Sequence, residues 1–115
     1  MRRGDIHLVD LDPSRGSEAD KVRPAVIVSN DAANQVAQRT GRGVVTVVPI
    51  TSNTARVFPF QVLLPGLDCG LLADSKAQAE QVRSIATGRV RRRLGRVPPA
   101  LLKDVDEALR VHLGL

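Results

Sequence analysis

At 115 residues, 43% hydrophobic and 25% charged, the chain is sized for one domain (1–115) whose single core needs no disulfide or metal. One cysteine, Cys69, excludes an internal disulfide, and the N-terminus MRRGDIHLVD lacks the apolar run of a signal peptide or membrane span. A cytoplasmic location without a membrane partner is therefore expected. The net charge of +5 is carried by 17 basic residues, of which only Lys21, Lys76 and Lys103 are lysines. Arginine's planar fork suits phosphate and carboxylate, so an acidic partner such as nucleic acid is favoured. Phe58 and Phe60 are the only aromatics, which argues against a base-stacking platform and leaves recognition to hydrogen bonds and arginine planes.

GDIHLVDLDP reads as a short strand ending at Pro13, and SRGSEADKV as a polar loop. PAVIVSN is a continuous β-branched run, the pattern of a buried strand. DAANQVAQR predicts a helical turn or short helix with Asn30 or Asp31 as its N-cap. Gly41 and Gly43 bracket a turn into a further β run, VVTVVPITS. FPFQVLL and the region from Ala73 to Ile85 supply more strands, although KAQAEQV alone could equally be helical. GRVRRRLGR, with Arg89, Arg91, Arg92, Arg93 and Arg96, is either an RNA-tracking patch or a solvated linker, and the sequence leaves both open.

The terminal stretch PPALLKDVDEALRVHL aligns Leu101, Leu102, Val105, Ala108, Leu109 and Leu113 on one helical stripe. Pro99 fits its first turn, and Lys103–Glu107 and Asp106–Arg110 are spaced as ion pairs. Many short strands and one amphipathic helix give an α+β or mainly β class. The expected architecture is a small, strongly bent sheet or barrel with helices packed on it.

Several chemistries are disfavoured. The histidines, His7 and His112, stand at opposite ends, and no metal-ligand spacing surrounds Cys69, so no metal or other cofactor is expected. No glycine-rich phosphate loop occurs. Cys69 within GLDCGLL reads as structural. Three polar islands remain. Pro24 fixes its own φ and biases Arg23 toward an extended conformation, which aims the guanidinium from the mouth of a strand. Thr51, Ser52 and Asn53 close another strand, where such side chains also commonly make turn bonds. KAQAEQVRS holds Gln78, Glu80, Gln81 and Arg83, with Gln78 and Glu80 expected on one strand face.

RRGDIHLVDLDP, GSEADKVRPAVIVSN, VVPITSNT, FPFQVLL and AEQVRSI follow one another as in the MazF/PemK-type toxins of toxin–antitoxin systems, and the chain resembles that family nearly to its terminal helix. The resemblance implies a compact SH3-like β-barrel of the CcdB/Kid/MazF type with added helices, acting as a homodimer. It implies a metal-independent endoribonuclease that cuts single-stranded RNA, inhibited by the disordered tail of a cognate, MazE-like antitoxin. In the family motif the arginine of RP and the threonine of ITS are catalytic, here Arg23 and Thr51, and the glutamate of GSE, here Glu18, is a proposed general base. Ser17, Pro24, Ser52 and Gln81 match positions lining the RNA groove. Some relatives carry a histidine at Ser17 and an arginine and aspartate at Gln78 and Glu80. Glu80 keeps the carboxylate and is the second candidate base. A gyrase-poisoning relative and a non-catalytic RNA-binding barrel are the alternatives.

Overall fold

The computed structural model describes residues 1–13, 15–18 and 21–115. Its elements in chain order are β1 (Asp5–Asp10), β2 (Val22–Ile27), α1 (Asp31–Thr40), β3 (Val44–Thr51) and β4 (Gln61–Leu64). A single-turn α2 (Gly66–Cys69) leads to β5 (Ser75–Gln78), β6 (Arg83–Ala86), β7 (Val90–Arg96) and α3 (Pro99–Leu113). Among the described residues the seven strands form one antiparallel sheet in the order β4-β5-β3-β2-β1-β7, with β6 also paired to β3. The expected mainly β class with packed helices is thus borne out, and no strand pairing among the described residues joins β7 back to β4.

β3 explains the branch. One of its sides pairs with β2, while its other side pairs with β6 over Val44–Val47 and with β5 at Ile50 and Thr51. Between β5 and β6 the chain makes a 3-10 turn, Ala79–Gln81. That turn overrides the expected strand alternation: Gln78 ends β5, and Glu80 sits in the turn rather than two places along a strand.

Period-two alternation divides the apolar residues between two cores. Ile6, Val26, Val48 and Ile50 face α3 through Val105 and Ala108, whereas Val9, Ala25, Ile27, Val45 and Val47 pack with Ala37 of α1. With both faces of β2 and β3 covered, their sequences read as continuous apolar runs.

The helices have identifiable stops. Asn30 is the N-cap of α1, its side-chain oxygen accepting from the Ala33 N–H at 2.8 Å, and Gly41 ends the helix at φ 66°. Pro99 begins α3 as expected, but Leu113 is 54% exposed and lies outside the buried stripe. The expected helical ion pairs are replaced: Asp106 accepts from Arg3 at 2.5 Å, and Arg110 pairs with Glu107 at 3.2 Å. The first of these ties the N-terminus to α3, a partnership no local spacing signals.

GRVRRRLGR is neither coil nor linker. Arg89 closes a 3-10 turn and the remainder is β7, paired with β1 through a ladder that shifts register on either side of His7. GLDCGLL, where Cys69 reads as structural, contains α2. Gly95 permits β7 to run against it, since a Cβ there would stand 2.0 Å from the Cys69 carbonyl oxygen.

Candidate nucleic-acid interface

The β2–β3 ladder runs Ile27↔Val47, Val26↔Val48 and Ala25↔Pro49, and then stops. Pro24 and Pro49 both lack an N–H, so neither residue can donate to the ladder where it stops. Carried two residues further, the same register sets Arg23 across from Thr51. The strands no longer pair there, and their ends open into a cleft of about 770 Å³. Arg23, Pro24, Thr51 and Ser52, four of the residues singled out in the sequence, line it together.

Arg23 is half-buried at this junction, so its guanidinium leaves the sheet from a fixed backbone. Thr51 makes the turn bond its type predicts: Oγ1 accepts from the Asn53 N–H at 3.2 Å. That bond uses a lone pair and leaves the hydroxyl hydrogen available as a donor. Asn53 continues the turn by accepting from the Ala55 N–H at 3.3 Å. Beyond it, Lys76 reaches from β5 to donate to the Arg56 carbonyl at 2.6 Å, and Phe58 stacks on Phe60 with ring centroids 5.3 Å apart. The two aromatics thus brace the loop after Thr51. The rest of the cleft wall was not legible in the sequence: Leu71, Leu72 and Ala73 after α2, and Arg92, Arg93 and Leu94 of β7.

The remaining predicted residues gather elsewhere. Glu18, Glu80 and Gln81 line a second pocket of about 310 Å³ with Val82 and Arg83. Ser17 is exposed on the neighbouring loop, and its carbonyl accepts from Gln81 Nε2 at 3.0 Å, which ties the loop to the 3-10 turn. Glu18 Oε1 accepts from the Arg15 N–H at 3.0 Å. The loop expected over 14–22 includes Ser14, Ala19 and Asp20, which lie outside the described residues.

Glu80 is held more firmly. Gln61, itself buried, donates from Nε2 to Glu80 Oε2 at 2.8 Å and accepts from the Phe58 N–H at 3.2 Å. Glu80 Oε1 and Gln78 Oε1 are both buried without a hydrogen-bond partner among the described residues. Buried acceptors are ordinarily satisfied, so this pair leaves unused capacity beside the pocket. Gln61 lies in an ordinary β run, and only its pairing opposite Gln78 reveals its connection to Glu80.

Two ionisable groups outside the pockets show how the frame is held. Burial works to raise the Asp5 carboxyl, but the Arg2 N–H, the Arg96 guanidinium at 2.9 Å and the Arg93 charge outweigh it and hold the group below its ordinary value. Cys69 is buried, and burial, with the Asp68 charge adding, pushes its thiol up. A thiol so placed is a poor nucleophile, which agrees with a structural role. Among the described residues no three His, Cys, Asp or Glu side chains are grouped to hold a metal ion, and no helix is long and apolar enough to cross a membrane.

A family model described as PemK-like, MazF-like toxin of type II toxin–antitoxin system matches residues 2–113. Endoribonuclease MazF9 of Mycobacterium tuberculosis is 64% identical over 115 residues, all of this chain and 98% of that relative. Among solved structures, MazF from Deinococcus radiodurans superposes with a TM-score of 0.81 at 28% identity, covering 100% of this chain and 97% of that one. An endoribonuclease in complex with its cognate antitoxin from mycobacterial species gives a TM-score of 0.78 at 27% identity, covering 100% and 96%.

Proposed function

The chain belongs to the PemK-like, MazF-like toxins of type II toxin–antitoxin systems, and from that membership we propose that it is a sequence-selective endoribonuclease that cleaves single-stranded RNA without a metal. Arg23 and Thr51 facing one cleft is the observation that carries the assignment. The substrate's own 2′-hydroxyl attacks the adjacent phosphorus. The new 2′-O–P bond forms as the P–O5′ bond breaks, which leaves a 2′,3′-cyclic phosphate and a 5′-hydroxyl. A base removes the 2′-hydroxyl proton, and the departing 5′-oxygen takes one from water.

Arg23 stabilises the charge that grows on the non-bridging oxygens, because its fork matches phosphate and arginine stays protonated at any working pH. Thr51 donates its hydroxyl to one of the same oxygens. Glu18 is the first candidate for the base and Glu80 the second. The exposed carboxylate of Glu18 can follow the substrate, whereas that of Glu80 is bound to Gln61. Pro24, Ser52, Ser17 and Gln81 supply the walls along which the strand lies. A homodimer, and a cognate MazE-like antitoxin laying a disordered tail over the cleft, complete the system in this proposal. The relative solved in complex with its cognate antitoxin supports that pairing.

The test is to incubate the purified protein with a long unstructured RNA in the presence of EDTA and to map both ends of each cut. Cleavage with cyclic-phosphate and 5′-hydroxyl ends is expected. Cutting that EDTA abolishes, or 5′-phosphate ends, would overturn the chemistry. Intact RNA combined with inhibited gyrase supercoiling would transfer the protein to the gyrase-poisoning alternative.

A further inference from the structure

The arginine run that leads into and forms β7 contains one member that the fold does not use. Arg89 donates to the carbonyls of Asp10 and Asp12, Arg91 pairs with Asp10 at 3.5 Å, and Arg93 and Arg96 pair with Asp5 at 3.4 and 2.9 Å. The Arg92 side chain has no hydrogen bond or ion pair to another described residue, is exposed, and lines the same cleft as Arg23 and Thr51. Four arginines therefore fasten β7 to β1 and its flanks, while the fifth is left facing the cleft.

Its position across the sheet is defined. β7 pairs with β1, and β1 pairs with β2, with His7 opposite Arg93 and Leu8 opposite Pro24. Arg92 consequently stands two strands from the Arg23 backbone, about 9–10 Å away in the hydrogen-bonding direction. Between and beside them the cleft wall is apolar, with Leu8, Leu71, Leu72 and Leu94. A guanidinium at the rim of such a wall is less screened than one on an open surface. Arg23 and Arg92 therefore enter the cleft from different strands, β2 and β7.

We propose that Arg92 binds the phosphate of a nucleotide flanking the scissile bond and so sets the path of the RNA across β1, without taking part in the bond-breaking step. The proposal rests on the endoribonuclease reading above and adds a binding residue to it. Because a flanking phosphate keeps its charge throughout the reaction, this contact binds ground state and transition state alike.

The experiment compares Arg92→Ala, Arg92→Lys and Arg91→Ala, all in the full chain, on one end-labelled unstructured RNA over a range of salt concentrations. Arg92→Ala should raise KM about 5- to 10-fold with kcat unchanged. It should also flatten the slope of log(kcat/KM) against log salt by about 0.7, the value for one single-strand phosphate. Arg92→Lys should recover the salt slope and part of the KM. Arg91→Ala removes the same formal charge from a paired arginine and should leave both readouts near wild type. Binding of a single-stranded DNA copy of the same sequence, which lacks the 2′-hydroxyl and cannot react, should weaken in Arg92→Ala alone.

An unchanged KM and slope in Arg92→Ala would overturn the proposal, as would a fall in kcat at constant KM or an equal effect of Arg91→Ala. Unchanged nucleic-acid binding with weakened capture of an acidic peptide would overturn it too. Failure of the wild-type protein to cut RNA would instead remove the endoribonuclease reading, and binding of the DNA copy would still decide the role of Arg92.

Discussion

The two pockets are built by different means. In the larger one, Arg23 and Thr51 are placed by backbone: two strands run in register, two prolines end the ladder, and the side chains leave from fixed positions. In the smaller one, Glu18 and Glu80 are placed by side chains, through Gln61 on Glu80 and Gln81 on the Ser17 carbonyl. Under the proposed chemistry the contrast matches the demands on each. Transition-state charge must meet a preorganised cation, since reorganising it during reaction would forfeit most of its benefit. A base need only come within hydrogen-bond reach of its proton, and its geometry often tightens on substrate binding.

The sharpest challenge to that division is neutralisation of each carboxylate. Glu18→Gln and Glu80→Gln both preserve shape, and the one that removes the base should lower kcat by about 10²- to 10⁴-fold. A large loss for Glu80→Gln with none for Glu18→Gln would assign the base to the anchored carboxylate and dissolve the distinction between a rigid cation and an adaptable base.

Next in size is Arg23→Ala, expected to lower kcat about 10²- to 10³-fold while thermal unfolding stays near wild type. Thr51→Ala should lose less, and Thr51→Ser should retain most activity because it keeps both the donor and the turn bond to Asn53. If Thr51→Ser proved as poor as Thr51→Ala, the hydroxyl would not be the contributing group.

Gln61→Ala probes the side-chain tether. It should lower kcat/KM by about fivefold by releasing Glu80 Oε2, with the loss concentrated in whichever nucleotide preference the second pocket reads. Cleavage-site mapping beside the wild type makes that measurement.

Asp5→Asn addresses the frame alone. It removes the charge and one of the two acceptor oxygens that serve Arg2, Arg93 and Arg96, and should reduce stability at neutral pH by about 1–3 kcal/mol, with kcat unaffected. The Asp5 carboxyl sits lower in the folded chain than its ordinary 3.8. Its stabilisation is therefore fully present above that value and is lost as pH falls through the lower folded value. Denaturation followed from pH 7 into acid should accordingly show the gap between wild type and Asp5→Asn narrowing below about pH 4.

Different parts of this chain were legible to different degrees. Asn30, Gly41 and Pro99 mark helix ends by local backbone chemistry, and the structure uses each of them so. The β-branched runs of β2 and β3 announce burial on both faces, and Arg23-Pro24 announces an arginine held at a strand mouth. Local pattern failed where distance in sequence was bridged. Leu113 has the spacing of a core residue, but the fold leaves it 54% exposed. Glu80 has the spacing of a strand residue, but a 3-10 turn carries the chain from β5 to β6 along one side of β3.

Family membership, basic character, helix ends and the identity of the strand-mouth residues are all written in the linear chain, because each depends on neighbours within a few positions or on ordered motifs. It took the folded chain to bring Arg23 and Thr51 into one cleft and both candidate bases into another. It likewise took the fold to occupy Arg89, Arg91, Arg93 and Arg96 while leaving Arg92, among the described residues, without a partner. These outcomes depend on strand register and on pairings such as Arg96 with Asp5. They are set by which strands lie side by side, and nothing within a short window of residues carries that information.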